Sequence, residues 1–153
     1  MYSKQEISKQ KQVFWTTFGK YMQPVLSADG EEINWINYKT GISGITFKMD
    51  VDNGQAAIQI RLSHVDTALQ QKHYDQFLQL KSMLQAELNE EWQWQPMTTN
   101  EDGRIVSTIG KQLSGVSIHR NEDWPAIISF LKPRIVALDA FWSNAKYAFE
   151  SIM

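Results

Sequence analysis

The sequence predicts an α+β fold: a mainly antiparallel sheet of about four to five strands backed by three helices, in the order α-β-β-β-α-β-β-α. Three observations carry that reading. The last thirty residues hold one apolar helical seam, a strand pair alternates strictly around an Asn-Gly turn, and two further amphipathic stretches have helical spacing. The 153 residues suit a single domain spanning 1–153.

The first helix opens at Ser3, which has capping-box spacing to Glu6. Its apolar face reads Ile7, Phe14, Phe18, Tyr21, Met22 and Val25, with Trp15 on the flank, and Pro24 followed by Ala28-Asp29-Gly30 ends it. Residues 33–39 alternate and predict a short strand, followed by a turn at 41–44. Ile45, Phe47, Met49 and Val51 then alternate with polar residues. Asn53-Gly54 favours a tight turn, and Ile58, Ile60 and Leu62 alternate on the return. With the turn centred there, Lys48 faces Gln59 and Asp50 faces Ala57.

A second helix is predicted from about Asp66 to Asn89, with Leu69, Phe77, Leu80, Leu84 and Leu88 on its apolar side. Glu91–Gln95 alternates, placing Trp92 and Trp94 on one face. Asn100–Gly103 is a turn, and Ile105, Ser107 and Ile109 suggest a partner strand. Lys111–Gly115 reads as a loop before a short strand at Val116–Ile118. Asn121, Glu122 and Asp123 suit a helix start. The final seam is Trp124, Ile128, Leu131, Ile135, Leu138, Trp142, Ala145, Phe149 and Ile152. It keeps its phase across Pro133, so one long kinked helix is expected. Ile127, Phe130 and Phe141 widen this face, which predicts either contact with two elements at once or a homodimer.

Composition narrows the function. The formal charge is −2, so no global positive field draws the chain to nucleic acid. The absence of cysteine removes thiolate metal sites and cysteine nucleophiles. No apolar run approaches the roughly 20 residues that span a bilayer, and the N-terminal stretch lacks a signal-peptide core, so a cytoplasmic protein without membrane contact is expected. His64, His73 and His119 have no paired metal-ligand spacing and read as surface or helix-end residues, so neither metal nor cofactor is expected. Neither Ser43 nor Ser114 completes a nucleophile elbow, and no phosphate-binding glycine motif occurs.

The polar side of the hairpin is the candidate binding surface. Thr46, Lys48, Gln59 and Arg61 should lie together, with Gln93 and Gln95 joining from the third strand. His119 and Arg120, just before a helix start, are a second candidate for anion contact. The rival reading is a magnesium-dependent nuclease of the PD-(D/E)xK type, using Asp50 or Asp52 with a second acid such as Glu6 or Glu32. Against it, the second hairpin strand offers Gln59-Ile60-Arg61 where such enzymes need an acid and a lysine, and a neutral amide binds a hard cation poorly.

Four stretches also carry a family resemblance: Phe14-Trp15, the hairpin end AIQIRLSH, ELNEEWQWQP, and NEDWPAIISFLKPRI. Together they resemble an uncharacterised bacterial domain family, domain of unknown function 4268. Some of its members are fused to restriction-endonuclease-like segments. The resemblance implies no catalytic residue. It implies a DNA-related or defence setting, and relatives often carry an acid near the position of Gln59. The expected protein is therefore a non-enzymatic domain that contacts a protein or nucleic-acid partner.

Overall fold

A computed structural model describes residues 2–152. Four antiparallel strands form one sheet: β1 Ile45–Val51, β2 Asn53–Leu62, β3 Gln93–Thr99 and β4 Ile105–Ser117, in the spatial order β1-β2-β4-β3. Five α-helices accompany it: α1 Lys4–Met22, α2 Thr67–Gln79, α3 Lys81–Leu88, α4 Trp124–Ala145 and the short α5 Tyr147–Glu150. A single 3-10 turn, Asn121–Asp123, leads into α4.

The hairpin has the expected register, Lys48 opposite Gln59 and Asp50 opposite Ala57. Strands β1 and β2 alternate along their paired lengths, so the hairpin presents one face to the core and the other outward. On the inner face Ile45, Phe47, Val51, Ile58, Ile60 and Leu62 are almost fully buried. Helix α4 lies over them, contacting β1, β2 and β4. Its seam residues Leu131, Ile135 and Leu138 are wholly shielded, and Trp142 nearly so.

The residues that widen α4 are buried within the same chain. Ile127, Phe130 and Phe141 are shielded, because α3 packs against α4 from the other side and Phe77 of α2 stacks on Phe141 and Trp142. Contact with two elements therefore accounts for the width on which the homodimer expectation rested.

Pro133 stays inside α4, which is continuous from Trp124 to Ala145. Proline removes the bond to the carbonyl four residues back. Here that residue is Ser129, and both Ser129 and Pro133 are exposed, so water can satisfy the freed oxygen.

Four expectations need correction. Residues 33–39 form no strand. The Asn34 side chain accepts from the backbone N–H groups of Ile36 and Asn37, an Asx turn that satisfies locally what a strand would offer to a neighbour. The second helix is two: Leu80, with φ −98° and ψ 11°, divides α2 from α3. Residues 111–115 are not a loop, since β4 runs unbroken to Ser117 along β2. Gln55 opposes Ser114 while Gly54 opposes Val116, so Gly115 (φ +80°) is the extra residue of a bulge. Finally, Tyr21 and Ile105 are substantially exposed rather than core residues.

The long 23–44 connection is held by α4. Asp139 is buried, accepts from Tyr38 Oη at 2.5 Å and from the Ala28 N–H at 2.7 Å. Burial and this bond push the Tyr38 hydroxyl pKa upward. Trp142 donates its indole N–H to the Thr40 carbonyl at 2.7 Å. Higher on the same helix, Arg134 grips Glu90 through two bonds of 2.8 and 2.9 Å, and Trp92 donates to the same carboxylate. Burial alone would raise the Glu90 pKa. The hydrogen bonds from Arg134 and Trp92 and the charges of Arg134 and Lys111 outweigh it and hold the group below the usual carboxylate range.

Replacing Asp139 with alanine removes two hydrogen bonds to a buried carboxylate and leaves the Ala28 N–H and Tyr38 hydroxyl without it. The expected loss is about 3 kcal/mol, read as a lower urea midpoint. Tyr38→Phe, which removes one bond, should lose about half as much.

Candidate functional site

The outer face of the sheet is built by register alone. Along one row stand Lys48, Gln59, Gly110 and Gln93; along the next stand Thr46, Arg61, Thr108 and Gln95; a third begins Asp50, Ala57, Gln112. None of these residues is buried, so no helix covers the face. Gln93 and Gln95 join it from β3 as expected.

Small residues shape the surface. Gly110 and Ala57 lie between the glutamines, and the floor sinks into a groove of about 420 Å³ bordered by Lys11 of α1. A side chain at position 110 would come within 3.1 Å of Gln59 Cβ and 3.2 Å of the Ile58 carbonyl, so glycine keeps the groove open and the strands close. The groove is rich in amides, which both donate and accept. Its cations are Lys11 and Lys111 and its acids Asp50 and Asp52, while Lys48 and Arg61 stand on the same face outside the groove, beside Gln59 and Thr108. Lys48 and Asp50 approach to 3.8 Å in solvent, a weak pair.

His119 and Arg120 are not brought to this surface. They follow Ser117 at the hairpin-turn end of β4 and stand outside these rows, roughly 30 Å along the strand from Thr108, which lies opposite Arg61, although Arg120 reaches Gly115 near the Gln55 end of the groove. His119 stacks on Tyr2 with ring centres 3.7 Å apart. Arg120 is held by Asp123 at 2.7 Å and by the Gly115 carbonyl at 3.1 Å, so its guanidinium ties the end of β4 to the start of α4.

The histidine expectation is corrected most sharply. His64 and His73 are buried, and His64 Nε2 lies 2.7 Å from His73 Nδ1. The outer nitrogen of His64, Nδ1, is shielded without a hydrogen-bond partner among the described residues. Gly44 lies flat against the His64 ring, where a Cβ would come within 2.5 Å. Gln70, completely buried, donates to the Ile105 carbonyl and accepts from Ser107, and Ser107 Oγ takes the Met97 N–H. This polar cluster ties α2 to β4 and to the irregularity between Gln95 and Thr98 of β3. Its members come from a loop, a helix and a strand, and share no motif. The one local sign was that His73 stands one helical turn before Phe77.

The described residues contain no group of three or more His, Cys, Asp or Glu placed to hold a metal ion. Among the described residues no helix is long and apolar enough to cross a membrane.

The architecture defines a class: an α+β domain with helices on one face of an antiparallel sheet and a bare polar face on the other. The model of the domain of unknown function family DUF4268 matches residues 10–146, and the chain belongs to that family. No curated protein and no solved structure matches the chain.

Desolvation, then the charge of His73, lowers the His64 pKa from 6.5 to about 4, and burial lowers that of His73. The folded chain thus resists protons that the unfolded chain accepts, so stability is complete above about pH 6.5 and falls as pH drops toward about 4. Urea unfolding measured across this window should show stability rising with pH. The slope should flatten in a His64→Gln/His73→Gln double variant.

Proposed function

We propose that this domain is a binding module that docks nucleic acid along its open sheet face, in a cytoplasmic, DNA-related setting. The observation that supports it is the alignment of polar side chains from all four strands into one uncovered, grooved surface. Glutamine amides and threonine hydroxyls match phosphate oxygens and base edges, and Lys11, Lys48 and Arg61 supply positive charge beside them. The face lacks an exposed aromatic ring, since Trp94 lies on the inner side against Tyr74, so recognition rests on hydrogen bonding and charge rather than stacking.

The magnesium-dependent nuclease reading finds less support. Asp50 stands opposite Ala57, and the position facing Lys48 is the neutral Gln59. Two-carboxylate clamps are what hold such ions. Incubating supercoiled plasmid with the protein and magnesium or manganese tests it directly, and nicking abolished by Asp50→Asn would establish the enzyme over the binding module.

Electrophoretic shift assays at low salt with duplex and single-stranded DNA test the binding module. Micromolar affinity is expected, with a log–log salt slope of about −3 if three cations each meet a phosphate. Lys48→Glu should weaken binding about tenfold or more without changing the unfolding midpoint. Absence of any shift at micromolar protein would overturn nucleic acid as the partner and leave a protein.

A further inference from the structure

Of the four arginines in the chain, two are fully engaged: Arg120 with Asp123 and Gly115, and Arg134 with Glu90 and Phe130. The guanidinium groups of Arg61 and Arg104 take part in none of the hydrogen bonds or ion pairs among the described residues. Both line the same cavity, about 610 Å³, where β2 leaves the sheet and the 100–104 turn arrives. Arg61 comes from the open face, opposite Thr46 and Thr108. Arg104 sits on a rigid turn: its N–H is received by the Asn100 side chain at 3.0 Å and its carbonyl accepts the Asn100 N–H at 2.8 Å.

The unmet polar groups gather at the same place. Two buried side-chain nitrogens without a partner among the described residues, Arg61 Nε and His64 Nδ1, belong to residues lining this cavity. A guanidinium N–H withdrawn from water without an acceptor is destabilising. An oxyanion between the two arginines would supply the missing acceptor, and the planar guanidinium matches phosphate geometry. His64 Nδ1 becomes a further donor in the tautomer whose Nε2 accepts from His73. Ser63 and Thr67 add hydroxyls at the rim, and Asp102 is the one acid there.

We propose that Arg61 and Arg104 form a phosphate-binding pocket at the end of the open sheet face, receiving a phosphate group of a nucleic acid laid along that face. The proposal rests on the reading of the face given above and extends it to a defined contact. Inorganic phosphate titrated into the full chain at constant ionic strength, with arginine Nε–Hε resonances followed by nitrogen–proton correlation NMR, tests the pocket without any nucleic acid. The Arg61 resonance should shift and saturate, those of Arg120 and Arg134 should stay in place, and Arg104→Gln should weaken the response about tenfold. An Arg61 resonance indifferent to phosphate, or a response that Arg104→Gln leaves unchanged, overturns the pocket. Duplexes with and without terminal phosphates then identify the source. A preference for phosphorylated ends that Arg104→Gln abolishes assigns a terminal phosphate, and equal weakening of both duplexes assigns a backbone one. Duplex binding sensitive to Lys48→Glu but not to Arg104→Gln overturns the pocket and spares the face. A phosphate response without duplex binding overturns the face and, with it, the nucleic-acid ligand assigned to the pocket.

Discussion

The fold depends on the burial of α4 across the inner face of the sheet. Each fully shielded Leu or Ile on that helix contributes about 1.5–3 kcal/mol of transfer free energy, and Leu131, Ile135 and Leu138 are all at zero exposure. The helix also carries tethers to nearly every other element. The Trp124 indole N–H reaches the Ile118 carbonyl beyond β4, while its ring meets Phe14 of α1 edge-on. Arg134 takes the α3–β3 connection through Glu90, and Asp139 and Trp142 hold the long connection before β1. Because these polar contacts sit on the helix that forms the core wall, the loops are ordered by the same event that buries the apolar seam.

That arrangement leaves the opposite side of the sheet without a covering layer. In the hairpin, period-two alternation makes the separation sharp, since each residue that feeds the core has neighbours on the other face. The face acquires relief from Ala57 and Gly110, whose small size lowers the floor between Gln59, Gln93 and Gln112. The sheet edges are treated differently. Strand β3 carries Pro96 and an irregularity with Met97 at φ +50°, which breaks the row of backbone groups that would otherwise invite another strand. The broad face is therefore open along its length, whereas the β3 edge is interrupted.

The periodic parts of the fold were legible because their signal is local. The hairpin register follows from Asn53-Gly54 and seven alternating apolar residues, and the α4 seam from spacing alone. The outer-face residues were legible for the same reason, since knowing one pairing places every side chain on its side. What escaped was decided by single polar contacts or by tertiary pairing. The Asn34 side chain captures two N–H groups and converts an alternating stretch into a turn. Strand β2 pairs with residues 111–114, whose own composition reads as loop, and Gly115 absorbs the mismatch. The His64–His73 pair depends on α2 folding back so that residues from a connecting loop and a helix meet, and no periodicity encodes that. Arg120 looked like a free cation before a helix, yet Asp123, three residues on, had already claimed it.

The distribution of satisfied and unsatisfied polar groups separates stabilising chemistry from functional chemistry. Around α4 the polar groups are closed: Glu90 accepts from both Arg134 and Trp92, and Asp139 accepts twice. Such matched pairs hold the structure, and they offer little to a ligand because their donors and acceptors are already used. At the far end of the sheet the balance reverses. Among the described residues the Arg61 and Arg104 guanidinium groups have no acceptor, and His64 keeps a shielded nitrogen without a partner. A fold selected for stability alone would gain by pairing these groups or replacing them with apolar ones. Their concentration at the point where the open face ends means that the molecule's unspent hydrogen-bonding capacity lies next to its uncovered surface. That is the physical signature expected of a place where another molecule completes the structure.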